Sequence, residues 1–137
     1  MTRAKSLALI APMLLLGVET PALAVQAFGS ISFVGTDTYD NTSINFTGPA
    51  SILGTSTGTF AALGNCLGCV AMTSFNYVAF SPVTLLTAMN NGSTLTFRLE
   101  TLTEVSRNAF GSLSIDGTGT VSQTGFESNF GRISLTS

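Results

Sequence analysis

Residues 92–99 set apolar and polar side chains in strict alternation, with Leu95, Phe97 and Leu99 on one parity and Thr94, Thr96 and Arg98 on the other. A period of two sends alternate side chains to opposite faces of a β-strand, whereas a helix needs a period near 3.6. The same period returns in Ile31 and Phe33 within residues 29–34 and in Ile44 and Phe46 within 43–47. It returns again in Leu113 and Ile115, and in Ile133 and Leu135. Further strands are expected over 58–63 and over 74–80, where Phe75 and Tyr77 share one face and Val78 and Phe80 the other. A strand apolar on both faces is best placed in the middle of a sheet.

After Leu99 the parity slips, because Leu102 continues the apolar series on the wrong face, which predicts a bulge or turn near residues 100–101. Asp116-Gly117 reads as a tight hairpin turn. One stretch, 82–90, can be read as a short helix: Ser81-Pro82 offers a cap and a first-turn proline, and Asn90-Asn91-Gly92 a stop. Val83, Leu85, Leu86 and Met89 would form its apolar stripe, and an extended linker is the equal alternative. Together these segments predict an all-β domain, an antiparallel sandwich or jelly roll of about eight to nine short strands. Thr-x-Thr motifs recur at irregular intervals, which speaks against a solenoid.

The amino terminus precedes this pattern with a different one. Arg3 and Lys5 lead into an apolar run over 7–18, broken by Glu19, Thr20 and Pro21 before Ala22-Leu23-Ala24. That order is a secretory signal peptide over residues 1–24, with an alternative cut after Ala27. The run is shorter than the ~20 residues a membrane helix needs. The rest, 25–137, is expected to be a single domain, exported to the periplasm or beyond.

Composition matters once the leader is set aside. Residues 25–137 keep three cations (Arg98, Arg107, Arg132) and six carboxylates (Asp37, Asp40, Glu100, Glu104, Asp116, Glu127), a formal charge of −3, with no lysine and no histidine. Unclustered arginines on an acidic chain argue against nucleic-acid binding. Without histidine, no Ser-His-Asp or Cys-His site can be assembled, and without lysine no Schiff base. The expectation is therefore a protein without catalytic residues or cofactor.

Three features could still carry chemistry. Cys66-Leu67-Gly68-Cys69 lies among strands rather than at the start of a helix in a βαβ unit, so a redox site is not expected. Two cysteines and no histidine are too few ligands for structural zinc. In an oxidising compartment the pair is expected to form a local disulfide. Asp37, Asp40 and Asn41 sit close together in a loop and have the oxygen chemistry for calcium or another ligand, although such residues also serve turns. Glu100 and Glu104 would stand about 13 Å apart on a regular strand, too far for a glycosidase pair. Asn-x-Ser/Thr triplets at Asn41, Asn45 and Asn91 matter only where N-glycans are added.

The order of segments (Gly29-Ser-Ile-Ser-Phe-Val-Gly-Thr-Asp, Ile44-Asn-Phe46, the strand at Phe75, residues 92–99, and the run Gly117 to Phe126) resembles exported bacterial β-sandwich proteins of the PEP-CTERM, exosortase-sorted type. The resemblance implies a Gram-negative protein of the cell surface or extracellular matrix, and it transfers no catalytic residue. Such proteins end in Pro-Glu-Pro, a membrane helix and a basic cluster. This sequence reaches Ser137 without them, so a released relative with no membrane span after signal cleavage is expected. The leading expectation is a non-catalytic structural or surface protein. The alternatives are a glycan- or ligand-binding module and, behind it, a carboxylate-dependent hydrolase. The candidate partners are a surface polysaccharide or a second copy paired through an edge strand.

Overall fold

Fifteen consecutive residues, Ser93–Arg107, form the longest strand, and the rest of the fold is arranged around it. The computed structural model describes residues 25–108 and 111–137, so the signal peptide assigned to 1–24 lies outside the described residues. In chain order the strands are β1 (Phe33–Val34), β2 (Asp37–Tyr39), β3 (Ser43–Phe46), β4 (Ala50–Ile52) and β5 (Cys66–Met72). They continue with β6 (Phe75–Asn76), β7 (Val83–Asn90), β8 (Ser93–Arg107), β9 (Leu113–Gln123) and β10 (Asn129–Thr136). A 3-10 helix, Gly58–Leu63, separates β4 from β5.

Seven strands make one curled sheet in the order β10-β9-β8-β7-β5-β4-β1, and β2-β3-β6 make a small second sheet. Every ladder between strands is antiparallel. The all-β, sandwich-like fold expected from the alternation is the fold observed. Its core lies inside the curl, where Ile52, Leu85, Leu95, Leu99 and Ile115 are fully buried, with Ile44 and Phe75 of the small sheet against them.

The expected slip after Leu99 is present, and it is double. Leu99 faces Gly119 but Thr101 faces Thr118, and Leu102 faces Gly117 but Glu104 faces Asp116. Glu100 and Thr103 are therefore extra residues in β8. Both glycines of β9 answer these bulges. A Cβ on Gly117 would lie 2.5 Å from Leu99 Cδ1, and one on Gly119 would collide with the Arg98 carbonyl. Asp116-Gly117 is thus not a hairpin turn but mid-strand: the glycine is there for close approach of the neighbouring strand.

Three further expectations change. Residues 82–90 are not a helix but strand β7. The Asn-Gly read as a helix stop is the two-residue turn of the β7–β8 hairpin, with Asn90 opposite Ser93 and positive φ at Asn91 (53°) and Gly92 (74°). Only a turn of the primed type needs both, and its twist matches that of strands. A register shift between Thr84 and Leu86 lets Leu85 and Leu86 both be buried, which is why the apolar spacing imitated a helix. Gly58–Leu63 is the 3-10 helix rather than a strand. Of residues 74–80 only Phe75–Asn76 is strand, at the edge of the small sheet, because the side-chain Oδ1 of Asn76 accepts from the N–H of Val78 (2.8 Å) and Ala79 (2.7 Å) and turns the chain. Phe75 and Tyr77 are buried as expected, while Val78 is exposed.

Candidate functional site

The curled sheet does not close on itself. Its two edges, β10 and the segment leading into β1, approach each other at their ends, first near Glu127. There the Ala27 N–H donates to the Glu127 carbonyl (2.8 Å), the Glu127 N–H to the Val25 carbonyl (3.0 Å), and Asn129 Nδ2 to the Ala27 carbonyl (3.1 Å). Beyond that point the segment leaves β10 and pairs with residues at the start of the 3-10 helix. Thr57 N–H donates to the Ser30 carbonyl (2.9 Å) and Thr59 N–H to the Phe28 carbonyl (2.8 Å). The two edges meet again at the far end, where Ser137 Oγ donates to Asp37 Oδ1 (2.7 Å).

Between these two ties lies a cleft of about 540 Å³ whose floor includes Leu86, Leu95, Phe97 and Val121. A smaller space of about 140 Å³ continues it toward Ser137 and shares Phe33, Met72, Ser134 and Leu135 with it. The size is that of a ligand pocket, and the lining is mostly apolar. Among the described residues Arg132 is the one charged residue on the larger cleft, and no carboxylate lines it. Phe28 (55% exposed) and Phe130 (67% exposed) stand at the cleft.

The loop suspected of binding calcium or another ligand is organised differently. Asp40 Oδ1 accepts from the backbone N–H of Thr42 and of Ser43 (both 2.8 Å) and from Thr42 Oγ1 (3.1 Å). These backbone donors hold its carboxyl below the ordinary range, with a smaller contribution from the nearby Arg107 charge. Asn41 Oδ1 accepts from Arg107 Nη1 (2.7 Å), and Asp37 is turned toward Ser137. The structure therefore brings Asp40 and Asn41 together with a cation of the chain itself and gives Asp37 a separate partner. Arg107 also lies over the Tyr39 ring, 5.6 Å from its centre. With the Tyr77 hydroxyl donating to the Asp40 carbonyl, these contacts fix the β2–β3 turn against the end of β8.

Cys66 and Cys69 are joined as a disulfide with Cα atoms 5.8 Å apart. Its place explains it. Ala50 faces Val70 and Ile52 faces Cys66, so β5 has more residues than β4 across this stretch and must bulge. The bridge closes that bulge, Gly68 supplies the positive φ (69°), and its N–H donates to Ser51 Oγ (2.8 Å). Leu67, at the tip, is 85% exposed.

The remaining carboxylates lie away from the cleft. Glu100 Oε2 accepts from Thr120 Oγ1 (2.9 Å), Glu104 faces Asp116 across the ladder, and Glu127 follows the turn after β9. No group of three metal-ligating side chains occurs among the described residues. No described helix is long and apolar enough to cross a membrane. Sequence reasoning singled out neither Arg107 nor Phe130, and it did not find the cleft. The one available signal was Phe130, an aromatic on the polar parity of a strand whose other parity holds Ile133 and Leu135. No protein-family model, no curated protein and no solved structure matches this chain.

Proposed function

We propose that this chain is a non-catalytic, exported β protein of the cell surface or extracellular matrix that works by holding another molecule. The observation that supports this most directly is the contrast between its carboxylates and its cleft. The carboxylates lie on turns and on an outer sheet face, where Glu104 stands opposite Asp116, while the larger cleft has an apolar floor and no carboxylate in its lining. A hydrolase of the two-carboxylate kind needs both groups across one cleft. The signal-like leader and the resemblance to PEP-CTERM proteins support export from a Gram-negative cell, and the Cys66–Cys69 bridge suits an oxidising compartment. The test is expression of the full chain in a Gram-negative host, followed by fractionation and amino-terminal sequencing. A mature protein beginning at Val25 outside the cytoplasm is expected; a cytoplasmic protein that keeps its leader would overturn the reading.

A second reading, a glycan-binding face, is favoured by one observation. Phe130, Thr120, Arg98 and Thr84 form a single row across β10, β9, β8 and β7 on the polar face of the large sheet. An exposed ring beside hydroxyls and a guanidinium is the surface a sugar ring can stack on. A glycan array in which binding is present and is lost in Phe130→Ala would favour it; an array without hits would remove it.

A further inference from the structure

The larger cleft is walled on both long sides by consecutive backbone. Every residue from 27 to 33 lines one side and every residue from 129 to 135 the other. The two walls run in the same direction, as the parallel bridge between Gln26 and Glu127 fixes. The β10 wall is a strand edge, while the other is irregular backbone that becomes strand only at Phe33–Val34; the pairing of each can be followed residue by residue.

On β10, Ser137 and Leu113 exchange both of their N–H to C=O bonds. In an antiparallel ladder bonded and non-bonded pairs alternate. Leu135 with Ile115, Ile133 with Gly117 and Gly131 with Gly119 are therefore the bonded pairs. The N–H and C=O groups of Thr136, Ser134 and Arg132 then point away from β9, toward the cleft. The other edge of β9 has the complementary parity, since Thr124 N–H donates to the Thr94 carbonyl. On the opposite wall, Phe28 and Ser30 spend both backbone groups on residues 57–59. Gly29 and Ile31 make no backbone hydrogen bond among the described residues and, by alternation, face β10.

A strand edge and a segment running parallel to it, both with free backbone donors and acceptors, thus flank an apolar floor and are tied together at both ends. Unpaired strand edges are templates for another strand, and backbone groups that become covered need partners. We propose that the cleft accepts an extended peptide segment of another protein, which enters as an additional strand antiparallel to both walls and completes the curled sheet. The seated strand exchanges hydrogen bonds with Arg132, Ser134 and Thr136 on one side and with Gly29 and Ile31 on the other. Its inward side chains, every second one, rest on Leu95, Phe97 and Val121, so the recognised chemistry is a short segment with apolar residues at alternate positions. Gly131 keeps that floor open, since a Cβ there would lie 3.2 Å from Phe97 Cε1. A free amphiphile would use the same floor but leave both edges unpaired, which makes it the rival the test must separate. The proposal rests on the non-catalytic reading above only in taking the cleft as the working surface.

The test tethers the probe to the exported chain. After Ser137 it carries a flexible Gly/Ser linker and a short strand of alternating valine and threonine, at the millimolar effective concentration such a tether gives. A second form replaces the threonines by proline, which keeps the valines but removes backbone donors. Hydrogen exchange of residues 27–35 and 129–137 is the readout. The alternating strand is expected to slow exchange there about tenfold or more, and the proline form to leave it unchanged. No protection by the alternating strand, or equal protection by the proline form, would overturn the proposal. So would equal protection of the untethered protein by laurate, which would reassign the cleft to a small amphiphile. Exchange and export are read separately, so failure of one leaves the other interpretable.

Discussion

The two flanks of the curled sheet are built from similar residues and end in opposite states. Along β8 and β9 the ladder runs from Leu113 opposite Arg107 to Gln123 opposite Leu95, and it is so close that Gly119 has no room for a Cβ beside the Arg98 carbonyl. Along β10 and residues 27–35 the partners meet at the ends and stand apart between them, around a cleft. Apolar content does not separate the two flanks. What separates them is whether each backbone group finds its complement. On the closed flank two bulges keep the registers matched. On the open flank, Phe28 and Ser30 are already committed to Thr57 and Thr59, so they cannot also pair with β10.

The sharpest way to break this contrast is on the closed flank. Gly119→Val forces β8 and β9 apart and is expected to cost ~3 kcal/mol or more, the upper range of overpacking. A thermal melt within a degree or two of the parent would show that the flank is not tightly packed. On the open flank, a chain beginning at Phe28 loses Ala27, which is 1% exposed, and the two backbone bonds to Glu127. At about 1 kcal/mol for each such bond, a loss of ~2 kcal/mol is expected in denaturant unfolding, together with faster hydrogen exchange at residues 127–131. An unchanged midpoint would mean the upper tie does not hold the edges together. It would also leave cleavage after Ala27 structurally neutral, whereas the expected loss favours cleavage after Ala24.

The double change Cys66→Ser with Cys69→Ser removes a very short loop constraint and is expected to cost at most ~2 kcal/mol. It lies at β4–β5, away from both flanks, so the cleft should survive. Loss of the tethered strand's protection in this variant would show that the sheet's curl depends on the bulge. The smallest effect concerns the β2–β3 turn. Because the folded carboxyl of Asp40 is lowered, chiefly by the Thr42 and Ser43 N–H groups, it favours the folded state fully above about pH 4 and loses that contribution as the pH falls through its folded value. Asp40→Asn should flatten the acid side of the stability profile slightly. An unaltered slope below pH 4 would assign the acid response to other carboxylates.

Much of the fold was legible because period two is a local property. Residues 94–99 had to place Leu95, Phe97 and Leu99 on one face wherever the strand lay, and the slip at Leu102 announced a bulge before any partner strand was known. The disulfide was legible from composition, since a histidine-free chain with two nearby cysteines leaves few alternatives. The two glycine dipeptides depart from expectation: Asn91-Gly92 suits a helix stop and Asp116-Gly117 a hairpin turn by local pattern alone. Asn91-Gly92 makes the hairpin and Asp116-Gly117 does not, because a glycine after a polar residue serves equally at positive φ or under a neighbouring strand's backbone. Only the opposing strand tells the two apart. Asp40 and Asn41 looked like a ligand loop for the same reason: their oxygens suit a cation, and it took the tertiary structure to bring Arg107 to them.

What the sequence determined by itself is the class of structure and the depleted chemistry: strands rather than helices, one cysteine pair, no histidine, and no lysine after Lys5. Those follow from side-chain type and spacing, which need no knowledge of neighbours. What only the tertiary structure decided is which edges stay open. Edge status depends on how many strands the curl accommodates and on where Phe28 and Ser30 spend their hydrogen bonds. Both are set by contacts between segments far apart in the chain, such as Ala27 with Glu127 and Asp37 with Ser137, and no local pattern encodes them.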